Sequence, residues 1–366
     1  MLKKQGVVIN SEAISKRHRR MGLPDKHTLL PKKEKKTTTF SEDLITLGER
    51  KIKSVSDKKY KELLQYTTQV ERERDAVLQL QELHPTTLSI VKTTQASEAT
   101  MVVMASDWHV EETVVPATVS GLNEYSLEIS RTRISKFWQV VARLVEVFGK
   151  DIKIPRIVIW LGGDFITGNI HEELMEICSL RPIPAAIEAQ NLIASGLNYI
   201  LQNTDCEITV ICSVGNHSRI TKERRIATEQ GNSLELFMYH SLADYFKPFE
   251  RIKFILPEGY HSYLKVYDWT LRFHHGHQIK YQGGVGGIFV PAFKAIAQWN
   301  KARQADYDIF GHYHAAKDGG NFLMNGSIIG YNAYALSIKA DFEKPRQMVF
   351  LIDSQRGKTV TAPIIL

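Results

Sequence analysis

The sequence predicts an α/β protein in which two β-sheets pack as a sandwich and helices flank them. Three observations carry that prediction. Between about residues 97 and 256, short apolar runs alternate with amphipathic stretches of helical period, the pattern of βα units and a parallel sheet. From residue 263 onward strand-like runs crowd together as a meander, which calls for a second sheet packed on the first. Five of the apolar runs stop abruptly in Asp, Asn or His, and in open α/β sheets ligands collect beyond the carboxyl ends of strands.

In chain order, residues 1–97 read as a basic, mainly helical extension and 98–366 as the principal domain. The extension holds two basic clusters, Lys16–Arg20 and Lys32–Lys36. A short helix is expected near Ser11–Met21, ended by Gly22 and Pro24. A long exposed helix follows over Asp57–Leu83, ended by His84-Pro85, and then a linker or an edge strand around Leu88–Val91. The principal domain opens with a buried strand from Met101. Ser126–Phe148 carries Ile134, Phe137, Val141, Leu144, Val145 and Phe148 at helical spacing. Strands are expected at Ile157–Leu161, Ile208–Val214 and Lys253–Leu256, with helices at Pro184–Leu201, where proline suits the first turn, and at Asn232–Phe246. A hairpin is expected over Tyr263–Tyr267 and Thr270–His274, then a helix over Pro291–Arg303. Short strands follow at Asp308–Phe310, Phe322–Met324, Ser327–Ile329, Ala335–Ala340 and Gln347–Asp353.

The 366 residues carry a net charge of +7, unevenly placed. The first 60 residues hold 16 Lys/Arg against 7 Asp/Glu, which leaves the remaining 306 at −2. Such a basic arm engages the phosphates of nucleic acid or is a solvated tail. Cys178, Cys206 and Cys212 show neither metal-type nor disulfide-framework spacing, which points to a reducing compartment. The opening residues lack the apolar core of a signal peptide, and no later run approaches a membrane span. A soluble, cytoplasmic protein without membrane contact is expected.

The chemistry-bearing residues sit at the strand ends: Asp107 and His109, Asp164, Asn216 and His217, His275, and His312 and His314. His, Asp and Asn together suit divalent transition metals. They are too many for one tetrahedral ion and about right for two ions sharing a carboxylate, an arrangement that clamps a phosphoryl group. Gly163, Gly215, Gly276 and Gly311 each adjoin one of these residues, where the backbone turns sharply or approaches a ligand closely.

The ordered set Asp107-Trp108-His109, Gly162-Gly163-Asp164, Gly215-Asn216-His217, His275-Gly276-His277 and Gly311-His312-Tyr313-His314 resembles the calcineurin-like metallophosphoesterase superfamily. The resemblance spans Met101 to about Gly330. It includes Asn325-Gly326-Ser327, which is similar to the family's Asn-Pro-Gly-Ser turn without its proline. It implies that Asp107, His109 and His314 bind a first metal, that Asn216, His275 and His312 bind a second, and that Asp164 bridges. The ions implied are manganese first, with iron, zinc, nickel or magnesium as alternatives. His217 resembles the family's catalytic histidine, which protonates the leaving oxygen or stabilises the transition state, and the reaction implied is hydrolysis by metal-activated hydroxide.

Two departures narrow the resemblance. The Gly-Asp-x-x-Asp-Arg-Gly motif of protein Ser/Thr phosphatases is replaced by Gly163-Asp164-Phe165-Ile166-Thr167-Gly168-Asn169. This is closer to the double-strand-break repair nucleases. The third motif usually ends in a carboxylate that orients its histidine, and here Ser218 follows, so either His217 is less assisted as an acid or Ser218 or another residue substitutes. Around the site, His277 is a candidate for substrate phosphate, whereas His274 is expected in the core and His171 at a helix start. Trp108 and Tyr313 are expected to pack in the wall, with stacking on a base as the alternative. Lys222, Arg224 and Arg225 are candidates to track a nucleic-acid backbone, or form a solvated helix end. Gln282–Gly287 reads as a phosphate cradle or a lid. The expected function is a dinuclear metal phosphodiesterase acting on nucleic acid, DNA foremost. The alternatives are a phosphatase, a small cyclic-nucleotide phosphodiesterase, or a non-catalytic nucleic-acid-binding scaffold.

Overall fold

The computed structural model describes residues 40–81, 97–281 and 286–366. The chain divides into two compact units, Met1–Val91 and Lys92–Leu366. In the first, helix α1 (Phe40–Gln81) is 42 residues long. The helix expected from Asp57 thus begins at Phe40. Residues 40–56 contain no proline, and Gly48 alone, at a cost of about 1 kcal/mol, does not end a helix. Its apolar residues, Leu44, Ile52, Leu63 and Val77 among them, are exposed. The elements expected at Ser11–Met21 and Leu88–Val91 lie outside the described residues.

The second unit is built on two sheets. The first contains β1 (Ser97–Ala105), β2 (Ile152–Leu161), β3 (Glu207–Cys212), β4 (Ile252–Ile255), β10 (Arg346–Asp353) and β11 (Gly357–Ile365), in the order β11-β10-β1-β2-β3-β4. Strands β1 to β4 run parallel, and β10 and β11 are antiparallel additions. The second contains β5 (Ser262–Val266), β6 (Trp269–Phe273), β7 (Tyr307–Phe310), β8 (Lys317–Asp318) and β9 (Phe322–Met324), in the order β5-β6-β7-β9-β8.

Side-chain alternation explains the layering. Met101, Val103 and Ala105 of β1 join a core shared with α2 (Leu127–Gly149), α4 (Pro182–Asn203) and α5 (Leu234–Phe246). Val102 and Met104, pointing the other way, meet Val266, Leu271, Phe273 and Ile309 of the second sheet. Each such buried side chain contributes roughly 1.5–3 kcal/mol. On the far face of the second sheet, Phe310, Phe322 and Met324 pack on Ala292 and Ile296 of α6 (Phe289–Trp299). The result is the expected two sheets flanked by helices. Helix α2 starts where Ser126 Oγ, at the first residue of the expected segment, accepts the Ile129 N–H.

Three expectations need correction. The second sheet is not a meander. Strands β6, β7 and β9 are mutually parallel, because α6 forms the crossover between β6 and β7. Ala335–Ala340 is not a strand: Asn332 Oδ1 caps Ala335 N–H and opens a short helix, α7 (Ala333–Ser337). Ser327–Ile329 is buried but unpaired in either sheet, as an irregular turn leading to α7. Strand β11 was not expected, since Pro363 interrupts its alternation. A further short helix, α3 (Glu172–Ile177), follows β2.

Candidate metal centre

Strands β1, β2 and β3 are parallel neighbours in one sheet, and β6 and β7 are parallel neighbours in the other. Their carboxyl ends deliver the chemistry-bearing residues to one rim. Three overlapping groups form there: Asp107, His109 and His314; His109, Asp164 and His217; and Asp164, His275 and His312. Within each group one ligand atom per residue lies within 4.8 Å of the others. Residues up to 207 positions apart in the chain are thus brought together. His109 Nε2 is 3.2 Å from His314 Nε2, His314 Nε2 is 3.6 Å from Asp107 Oδ1, and His275 Nε2 is 2.9 Å from Asp164 Oδ2.

The backbone is bent to this purpose. Asp107, His109, Asp164, His312 and His314 all have φ between 49° and 72°, a region that side chains with a Cβ enter at a cost. Glycines make room beside them: a Cβ on Gly215 would lie 2.1 Å from Asp164 Oδ1, and one on Gly311 would lie 2.3 Å from Asp107 Oδ2.

Electrostatics match a cation site. Burial raises the Asp107 carboxyl to about 7, against the pull of His275. Burial would also raise Asp164, but the charges of His275 and His217 hold it well below the usual carboxylate range. Burial and neighbouring histidines push His109 and His312 well below the ordinary imidazole range, and His314 falls to about 4. Neutral imidazoles retain the lone pairs that ligation needs. His275 goes the other way, to about 10: burial lowers it, but the charge and hydrogen bond of Asp164, with Asp107 and the Gly162 carbonyl, together outweigh that. The Asn216 Oδ1 atom is buried without a hydrogen-bond partner among the described residues. An unpartnered carbonyl oxygen amid imidazoles and carboxylates is a donor set that divalent cations complete, so these residues fit divalent metal.

No family model matches the chain, and no curated protein matches it. Among solved structures it is similar to Vps29 complexed with Zn²⁺ from Entamoeba histolytica, with 14% identity over 72% of this chain and 98% of that one, TM-score 0.29. A Streptococcus pneumoniae protein described as a predicted phosphoesterase is 11% identical over 73% of this chain and 98% of that one, TM-score 0.25. A hypothetical protein from Pyrococcus horikoshii is 10% identical over 73% and 88%, TM-score 0.37. These likenesses are loose, and the site rests on its own residues.

The remaining sequence candidates divide. His217 stands at the rim with its ring centroid 4.9 Å from that of His109, and its Nδ1 is 2.9 Å from the Thr167 carbonyl oxygen. Its main-chain N–H donates to Asp164 Oδ1 at 2.8 Å. His277 is buried beside His275, and its Nε2 faces Glu229 Oε1 at 2.8 Å. Arg224 donates to the His277 carbonyl at 2.9 Å, whereas Lys222 and Arg225 are exposed on the same loop, which is not helical. His274 is buried in the second sheet as expected, stacked on Phe310 and 3.4 Å from Asp308. Trp108 packs in the wall against Phe137, Trp138 and Phe165, and the Tyr313 hydroxyl donates to the Ile279 carbonyl. His171 occupies the position preceding α3. Residues 282–285 of the glycine-rich loop lie outside the described residues.

Sequence reasoning missed the supporting carboxylates. Glu235 accepts Phe165 N–H and Gly215 N–H at 2.8 Å each and the Ser218 hydroxyl at 3.1 Å, tying together the two turns that carry Asp164 and Asn216. Ser218 therefore serves Glu235, and the group against His217 is the Thr167 carbonyl. Glu111 and Glu112 also support the Thr167 turn. Their signal was available: both directly follow the first ligand motif, and buried carboxylates need partners.

Proposed function

We propose that this chain is a dinuclear metal-dependent phosphoesterase of the calcineurin-like type that hydrolyses phosphodiester bonds in nucleic acid, DNA foremost. The observation that carries the reading is the convergence of metal-capable side chains from five parallel strand ends into overlapping groups sharing His109 and Asp164. Asp107, His109 and His314 would hold one ion, Asn216, His275 and His312 the other, and Asp164, with two oxygens, would serve both. Divalent cations bound there supply Lewis-acid polarisation of a phosphoryl oxygen and a nucleophile at neutral pH. Manganese suits the mixed oxygen and imidazole donors, with iron, zinc, nickel and magnesium as its competitors.

The chain's own part is to bind, orient and move protons. A carbonyl oxygen only accepts, so the Thr167 carbonyl engages an Nδ1–H of His217. The Nε2 of His217 is then the atom that gives a proton to the leaving oxygen. Imidazole ligands around Asp164 add no negative charge of their own, so an electron-rich phosphate would meet a cationic site. The nucleic-acid part is supported by Lys222, Arg224 and Arg225 on an exposed loop beside His277, and by the basic charge of residues 1–60. The absence of the phosphatase Asp-x-x-Asp-Arg-Gly motif argues against phosphoprotein substrates. No helix among the described residues is long and apolar enough to cross a membrane. The three cysteines are free thiols, in keeping with a reducing cytoplasm.

The test is metal content, measured on purified protein, together with Mn²⁺-dependent hydrolysis of single- and double-stranded DNA, RNA, cyclic nucleotides and a p-nitrophenyl phosphodiester. Cleavage of polynucleotides is expected. Hydrolysis confined to the small phosphoesters would sink the nucleic-acid reading, and binding without hydrolysis of any substrate would favour a scaffold.

A further inference from the structure

One residue that is not itself a proposed ligand touches both halves of the proposed machinery. Thr167 Oγ1 lies 3.0 Å from His109 Nδ1 and 3.0 Å from Glu112 Oε2. The other carboxylate oxygen of Glu112 accepts Asn332 Nδ2 at 2.9 Å. The Thr167 N–H donates to Glu111 Oε1 at 2.8 Å, alongside Gly168 N–H at 2.9 Å, and its carbonyl faces His217 Nδ1 at 2.9 Å. Thr167, Glu111 and Glu112 are all buried.

Donor and acceptor arithmetic fixes the protons. An ionised Glu112 only accepts, so in that form the Thr167 hydroxyl donates to it. Its oxygen is then an acceptor, so His109 Nδ1 carries the hydrogen and Nε2 keeps its lone pair. That Nε2 is the atom facing His314 Nε2 at 3.2 Å.

We propose that Thr167 is a positioning residue: the chain Glu112–Thr167–His109 holds His109 in its ligating tautomer, and the Thr167 carbonyl holds His217 in place of the missing carboxylate at Ser218. The hydroxyl chain thereby sets affinity at the first metal alone. This rests on the dinuclear reading above. It adds a dependence that ligand motifs do not contain, since the hydroxyl can be removed while every ligand stays.

The experiment titrates Mn²⁺ calorimetrically into metal-free wild-type, Thr167→Val, Thr167→Ser and Glu112→Gln proteins, with circular dichroism to confirm folding. Wild type takes up two ions. Thr167→Val should weaken one of them about 10- to 100-fold and leave the other unchanged, and Thr167→Ser, which keeps the hydroxyl, should restore wild-type binding. If Thr167→Val fails to fold, Glu112→Gln decides. Its amide would donate to the threonine oxygen and free the hydroxyl to donate to His109 Nδ1, inverting the tautomer, so the same ion should weaken. Two unchanged affinities in the folded variants, equal weakening of both ions, or a serine variant that behaves like valine would overturn the inference. A wild-type protein that binds fewer than two ions would instead overturn the dinuclear reading, and the inference with it.

Discussion

The two groups proposed to hold ions share a rim but are supported differently. In the first, His109 presents its outer nitrogen to a threonine hydroxyl backed by a carboxylate. In the second, His275 presents Nδ1 to a main-chain oxygen, Gly162 O, at 2.7 Å. Asp107, His109 and His314 all occupy left-handed backbone, whereas in the second group only His312 does, with the shared Asp164. A main-chain acceptor survives every substitution and a side-chain chain does not. The first group is thus tunable by mutation of its surroundings, and the second is fixed by the fold.

The change with the largest expected effect removes what the groups share. Asp164→Asn should lower Mn²⁺-dependent hydrolysis at least ~10³-fold and weaken both ions, because it deletes the only carboxylate common to them. Retained activity would refute the bridging role. Next, His217→Ala should lower kcat by roughly 10²–10⁴-fold with both ions still bound; loss of an ion in parallel would place His217 among the ligands. Thr167→Val then falls between the groups, with its one-ion effect.

A smaller effect probes the support of the second group. Burial first and Asp164 second raise the Glu235 carboxyl to about 7 from an ordinary 4.5. The folded state therefore holds a proton that the unfolded chain releases above pH 4.5. That contribution to stability is whole below pH 4.5 and is lost as pH rises through about 7. Between pH 5 and pH 8, metal-free Glu235→Gln should gain on wild type by on the order of 1–3 kcal/mol in denaturant melts. A pH-independent difference would show that Glu235 is ionised throughout. The smallest change leaves both groups intact. Replacing Lys222, Arg224 and Arg225 together by Ala should flatten the salt dependence of DNA binding by about one for each lost phosphate contact. An unchanged slope would remove this loop from the interface.

The convergence of candidate residues at the strand ends was legible because the fold exposes it in one dimension. A parallel strand buried on both faces is an uninterrupted apolar run, so a polar residue at its end stands out, as after Ala105 and Leu161. The two-sheet architecture followed from the same runs. What stayed hidden depends on contacts across the chain or on the backbone. Thr167 acts on His217 through its carbonyl, an atom every residue possesses. Glu229 meets His277, 48 positions further along, only after the chain folds back. Ala335–Ala340 alternates like a strand, yet the Asn332 cap opens a helical turn over Ala333–Ser337, and a run of main-chain bonds continues through Ala340. The parallel order of the second sheet depended on reading α6 as a crossover, which local pattern does not express.

The left-handed ligands carry a consequence for how such a protein would age. Glycine would sit at His109 or His314 without the roughly 1–2 kcal/mol that a side chain with a Cβ incurs there. Any lineage released from metal chemistry would therefore find a downhill step that deletes the ligand and relaxes the chain at once. Five such positions, all still bearing Asp or His, lie along that gradient. At each of them the side chain is held against a backbone strain that glycine would relieve.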